Sequence, residues 1–136
     1  MDRLSPERRG WLMSRVRSKD TTPELAVRRL VFGMGYRYRL YDKRLPGRPD
    51  LVFAGRRKVV FVNGCFWHGH RGCRYARLPR TNTDFWRKKI RKNRARDRRN
   101  AALLEASGWK VLTVWQCELK DVETLADSLY EFLEFD

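Results

Sequence analysis

The chain has five cysteines and histidines in all, and four of them, Cys65, His68, His70 and Cys73, fall in the single stretch FVNGCFWHGHRGC. The fifth, Cys117, lies far along the chain. A structural zinc site takes four such ligands in a tetrahedron. Cys65, His70 and Cys73 are close enough for one loop to wrap an ion, and Gly64, Gly69 and Gly72 give that loop freedom. Cys117 supplies the fourth ligand if the strand before it lies beside the strand before Cys65. This is not a standard zinc-finger spacing, and a plainer alternative makes Cys117 a small buried apolar residue. The zinc assignment leaves His68 free. Imidazole exchanges protons near neutral pH, so a histidine held beside a zinc loop in a basic cleft suits general acid or base work on a phosphodiester.

Phosphodiester cleavage commonly uses Mg²⁺ held by carboxylates and backbone oxygens. Asp50 follows Pro49 ahead of an apolar run, and the next run ends in Phe61-Val62-Asn63. This echoes the PD…(D/E)xK pattern of restriction-like nucleases, in which two acids share a metal beside a lysine. Phe61 stands at the second acid and Asn63 at the lysine, so the generic pattern fails.

The elements that must position these groups are legible in outline. SKDTTPELAVRRLVFGMG reads as a helix with Thr22 as N-cap, Pro23 in the first turn, Glu24 at the positive helix end and Gly33 or Gly35 closing it. Residues 36–41, 58–62 and 110–115 read as strands, and LPGRPD as a turn leading into LVF. The closing VETLADSLYEFLEF presents Leu125, Leu129 and Phe132, with Leu133, on one helical face. Between Arg87 and Arg99 a long helical segment carries nine basic residues and one acid, Asp97. Helical spacing aligns Trp86, Ile90, Asn93, Asp97, Ala101 and Leu104. Two polar residues thus interrupt an inward stripe, either as buried hydrogen-bonding groups or because the stripe borders a polar active site. The outward basic residues Arg87, Lys88, Lys89, Arg91 and Lys92 either follow phosphates or are simply solvated. The order of elements indicates an α/β domain with a mixed sheet.

Composition narrows the partner. Lys and Arg outnumber Asp and Glu by 31 to 16, a net charge of +15, in a 136-residue chain that is 42% hydrophobic. That describes one folded domain with a polyanionic partner, nucleic acid first. No acylation motif or long apolar run accompanies the charge, so no membrane partner is expected. The opening MDRLSPERRG has no apolar core of a signal peptide, so a cytoplasmic protein with reduced or metal-bound thiols is expected.

Several segments, in order, resemble one family. SRVRSKDTTPE, LPGRPD, FVNGCFWHGH, PRTNTDFWRKKIRKNRARDRR and GWKVLTVWQCEL are similar to the very short patch repair (Vsr) endonucleases across roughly residues 10 to 120. The resemblance implies a restriction-endonuclease-like single domain, with a central mixed sheet flanked by helices and a structural zinc. It implies Mg²⁺-dependent nicking of double-stranded DNA 5′ of the thymine in T:G mismatches left by 5-methylcytosine deamination. Asp50 would bind Mg²⁺ with the Val62 backbone carbonyl, His68 would be the catalytic histidine, and Glu24 would hold a water of the metal's shell. Asn93 and Asp97 would lie near that shell, and Cys65, His70, Cys73 and Cys117 would hold zinc. Phe66, Trp67 and Trp86 would form a wedge entering the base stack beside the mismatch, with core packing a better account of Phe85, Trp109 and Trp115.

Residues 1–20 would be an N-terminal DNA-contacting arm and 21–136 the nuclease domain. A monomer at the nucleoid is implied, linked in function to a DNA cytosine methyltransferase and mismatch-repair proteins. Two departures stand out. Asn63 replaces a histidine of the best-known members and cannot shuttle a proton, and Trp11-Leu12-Met13 replaces a more polar stretch. The competing readings are a nuclease of the same fold with another target, and a zinc-stabilised DNA-binding module without cleavage.

Overall fold

The computed structural model describes residues 20–135; the expected arm, apart from Asp20, and Trp11-Leu12-Met13 lie outside them. Helix α1 (Thr22–Gly33) leads to the short strand β1 (Arg39–Leu40), then β2 (Leu51–Phe53) and β3 (Lys58–Asn63). A long loop with one 3₁₀ turn, Arg74–Ala76, precedes helix α2 (Thr83–Ala106). Strand β4 (Lys110–Trp115), a 3₁₀ segment Gln116–Lys120 and helix α3 (Val122–Glu134) complete the domain.

The sheet order is β1-β2-β3-β4. The first two pairings are antiparallel, and β3 and β4 run parallel from Lys58↔Lys110 to Asn63↔Trp115. A parallel neighbour needs a long crossover, and α2 supplies it. Strand alternation then sorts the core. Leu51, Phe53, Val60, Val62 and Val114 pack against Val27 and Val31 of α1 and Leu125, Leu129 and Leu133 of α3. Val52 and Val59 face the other way, onto Leu104 of α2 with Phe61, Trp109 and Val111. The expected mixed sheet flanked by helices is therefore present.

Local details depart from the sequence reading. Thr21, not Thr22, caps α1: its hydroxyl accepts from the Glu24 N–H while Glu24 Oε2 accepts from the Thr21 N–H, both at 3.4 Å. Pro23 cannot donate an N–H, which suits the first turn that follows such a cap. Strand β1 keeps only Arg39 and Leu40 of the expected 36–41, and at its far end Tyr41 turns to a φ of 49° and stops the extended run. On α3 the fully buried face is Leu125, Leu129 and Leu133, and Phe132 is partly exposed.

Lys58 is buried at 4% exposure although it opens a core strand. Its ammonium donates to the carbonyls of Phe132 (2.6 Å), Leu133 (3.1 Å) and Phe135 (2.8 Å). The last turn of a helix leaves carbonyls without donors and carries partial negative charge, so this buried cation, with Arg56 donating to the Leu133 carbonyl at 2.9 Å, closes α3 against the sheet. Lys58→Met keeps the aliphatic volume and removes the three bonds. We expect it to lose about 2–3 kcal/mol in urea unfolding.

Candidate active site and metal centre

Strands β2 and β3 build the acidic end of the site. Continuing their register from Leu51↔Val60 sets Pro49 opposite Val62. Proline has no N–H to give to the Val62 carbonyl, so the ladder ends there and the Val62 edge faces Asp50. Asp50 Oδ2 accepts the Val62 N–H at 2.6 Å. In an extended strand a residue's N–H and C=O point to the same side, which puts the Val62 carbonyl on the Asp50 side as well. Burial pushes the Asp50 carboxyl up to about 7, the Val62 N–H opposes that, and the nearby Glu24 carboxylate adds to it. Two acids and a main-chain oxygen converging in this way are hard donors that fit a small divalent cation.

Glu24, at 3% exposure, is the most buried acid of the site. Its Oε2 accepts from Tyr41 Oη at 2.5 Å and stands 3.5 Å from Arg28 Nη2. Asp50, Glu24, Val62, Asn63, His68 and Asp97 all line one cleft of about 950 Å³.

His68 enters this cleft from the loop after β3. Its Nδ1 lies 2.6 Å from Asp97 Oδ2 of α2. With the carboxylate ionised, Nδ1 must donate, leaving Nε2 as the nitrogen available for proton exchange. The loop can approach α2 so closely because of Gly69, at a φ of 61°: a Cβ there would lie 2.5 Å from Ile90 Cγ2 and 2.6 Å from Arg94 Cδ. Asn93 plays a different part from Asp97. Its amide donates to the Trp67 carbonyl at 2.9 Å, and it does not line the cleft. Of the two meanings open for the polar stripe, loop hydrogen bonding describes Asn93, and bordering the polar site describes Asp97.

On the other side of that loop, Cys65, His70, Cys73 and Cys117 bring one ligand atom each to within 4.8 Å of one another. Tetrahedral zinc with S ligands at ~2.3 Å separates them by just under 4 Å, so the spacing fits a four-coordinate ion. The parallel β3–β4 register supplies Cys117, since Asn63↔Trp115 is the last pair and each cysteine follows two residues later. Burial pushes the Cys65 thiol up to about 12, an environment in which a thiolate needs a cation beside it. The His70 ring stacks on Trp115 at 4.1 Å, and its Nδ1 is 3.5 Å from Cys117 Sγ.

Phe66, Trp67 and Trp86 meet edge to face as a triangle, with centroids 5.4 to 5.8 Å apart. All three are half-buried, and Phe66 and Trp67 also line the cleft. Phe85 does not pack into the core as expected. It is 59% exposed and extends the cluster through Trp86 at 5.1 Å. Trp109 does join the core, beside Leu104. Arg87, Lys88, Lys89, Arg91 and Lys92 all lie on the exposed side of α2, and the pair Arg87–Asp84 there is too exposed to neutralise much.

The sequence reading missed Tyr41, Arg48, Arg96, Asn100 and Gln116 in the cleft wall. Asn100 was within reach, because it continues the spacing of Asn93 and Asp97 by one more turn. Nothing in the local pattern marked Tyr41.

Comparison with known proteins agrees with this architecture. Residues 1–74 match the family model described as DNA mismatch endonuclease Vsr. The chain is 58% identical over 133 residues to the type II nicking enzyme V.XorIIP of Xanthomonas oryzae, covering 98% of this chain and 97% of that one. It is 45% identical over 123 residues to the DNA mismatch endonuclease Vsr of Escherichia coli, covering 90% and 78% respectively. Among solved structures, the catalytic domain of the homing endonuclease I-Bth0305I shares the fold, with a TM-score of 0.57 at 21% identity over 83% of this chain and 94% of that one. With identity of this order along nearly its whole length, the chain belongs to the Vsr family of DNA endonucleases.

Proposed function

We propose that this enzyme nicks one strand of double-stranded DNA at T:G mismatches, using Mg²⁺ at Asp50 and the Val62 carbonyl and a structural Zn²⁺ at Cys65, His70, Cys73 and Cys117. The observation that carries the reading is that one loop, residues 64–73, bears three soft metal ligands, a carboxylate-held histidine and two aromatic side chains on the same cleft as Asp50.

When bound, Mg²⁺ supplies Lewis acidity toward the scissile phosphate and an attacking water. The chain's own groups do the rest. The Val62 N–H fixes the rotamer of Asp50 toward the cleft. Glu24 is the hydrogen-bond acceptor that orients water there. His68 moves the proton through Nε2, while Asp97 holds the ring in one tautomer, as the aspartate of a catalytic triad does. Asn63 can hydrogen-bond water or phosphate but carries no proton, so this enzyme works with one histidine. Asn93 acts at a distance, by anchoring Trp67.

Phe66, Trp67 and Trp86 are the side chains for opening the helix. Unstacking a step costs a few kcal/mol, partly offset by aromatic surface. A wobble pair yields more readily than a Watson–Crick pair, so a wedge favours the mismatch. The basic row Arg87, Lys88, Lys89, Arg91 and Lys92 faces solvent and suits phosphate contact. Residues 1–20 are proposed as a further DNA-contacting arm. One asymmetric lesion calls for one active site, consistent with a monomer, and a DNA cytosine methyltransferase is the enzyme class whose product creates such lesions. Among the described residues no helix is long and apolar enough to cross a membrane.

A panel of T:G, A:T and G:C duplexes tests the reading. With Mg²⁺, the wild type is expected to nick a T:G duplex and to leave A:T and G:C duplexes intact, and Asp50→Ala should lose about three orders of magnitude. Equal nicking of matched duplex would remove the mismatch claim, and no nicking at all would favour a binding module. Asp97→Asn should fall roughly a hundredfold or more in single-turnover rate, and adding His68→Ala should cost little beyond that, because the two act as a unit. Metal analysis should find one zinc per chain. Cys117→Ser should lose it and melt several degrees lower, whereas a variant with full zinc would assign Cys117 to packing.

A further inference from the structure

Three residues that are not glycine adopt left-handed backbone at or beside the cleft, Asp20 at a φ of 53°, Tyr41 at 49° and Arg48 at 47°, and the first and second of them share one set of contacts. Such conformations cost an L-residue of order 1 kcal/mol and persist where surrounding contacts over-determine them. Here the contacts form a closed network. Tyr41 Oη donates to Glu24 Oε2 at 2.5 Å and accepts from Arg28 Nη2 at 2.6 Å and from the Asp20 N–H at 2.9 Å. Arg28 Nη2 also donates to Asp20 Oδ1 at 2.8 Å, and its guanidinium carbon lies 5.6 Å from the centre of the Tyr41 ring.

Tyr41, Arg28 and the Thr21 N–H all donate to the same oxygen of the Glu24 carboxylate, Oε2, and the carboxylate also meets the Asp50 carboxyl. Three donors on one oxygen fix the orientation of the carboxylate and leave it facing Asp50, where a water or cation between the two acids would meet it. Tyr41 itself reaches the cleft wall next to Glu24 and Asp50. The turn that breaks β1 therefore delivers a hydroxyl to an active-site acid.

We propose that Tyr41 is a positioning residue for the reaction: its hydroxyl, held by Arg28 and the Asp20 backbone, locks Glu24 so that the acid's second oxygen faces the divalent cation. This rests on the reading above, in which Asp50 binds Mg²⁺ and Glu24 orients water beside it. The arrangement lowers the entropy that Glu24 loses when a cation arrives, and preorganisation of this kind raises affinity without a new contact.

The test removes one oxygen atom. Tyr41→Phe keeps the ring and the backbone, and is compared with Glu24→Gln and wild type as the full zinc-loaded chain. Mn²⁺ is the probe, its binding to the free protein read by electron paramagnetic resonance, alongside the Mg²⁺ dependence of single-turnover nicking. Tyr41→Phe should raise the Mn²⁺ dissociation constant about fivefold and raise the Mg²⁺ needed for half-maximal nicking in parallel. The rate at saturating Mg²⁺ and the affinity for DNA should change much less. A lower melting temperature with unchanged Mn²⁺ affinity would make Tyr41 purely structural and overturn the inference. If Glu24→Gln weakens Mn²⁺ and Tyr41→Phe does not, the inference fails while the metal assignment stands. If Glu24→Gln itself leaves Mn²⁺ binding unchanged, the metal assignment of Glu24 falls, and the inference with it.

Discussion

The parallel pairing of β3 with β4 is the constraint on which the rest of this structure depends. Six consecutive pairs end at Asn63↔Trp115, so both strands release their chains at the same end of the sheet. Val59, Val60, Val62 and Val114 are buried in this ladder, each contributing about 1.5–3 kcal/mol on leaving water. A slip of one residue would turn every one of those side chains to the wrong face. Hydrophobic burial therefore sets the register, and the register in turn sets which cysteines meet. Polar chemistry is placed here by apolar packing.

The same end of the sheet receives β2 from the opposite direction, which is why Asp50 belongs to the site at all. Its place comes from a proline that stops a ladder and from one free N–H. Across the cleft the histidine loop leans on α2, where a glycine permits the approach and Asp97 and Asn93 meet the loop with complementary partners. Polar groups interrupt the inward stripe of α2 where there is a donor or acceptor to receive them. Above and below, Ile90 and Leu104 restore the apolar contact.

Much of this was written in local sequence pattern, and the exceptions have physical causes. The β-branched run before Asn63 and the matching run before Gln116 announce buried strands, and the soft ligands follow each at the same short interval. The α2 stripe names Asp97 by helical spacing alone. Tyr41 was hidden because alternation of aromatic and basic residues reads as a strand through position 41, whereas its side-chain bonds stabilise a backbone that propensity disfavours. Thr21 and Thr22 are chemically equivalent as caps, and only the Glu24 side chain folding back on the first of them separates the two. Phe85 follows the pattern of a core aromatic yet sits outside the fold, since residue type does not record which side of a helix start faces solvent. Lys58 shows the converse: a cation can lie inside when three carbonyls at a helix end receive it.

The order of the four soft ligands along the polypeptide has a consequence for biosynthesis. Three of them emerge from the ribosome together, and the fourth follows only after the whole of α2 and β4 has been made. During that interval the young chain carries only three of the four groups that could hold an ion. An ion held by all four would be captured in full only once the crossover has returned the chain to its neighbour, and so would mark a finished molecule.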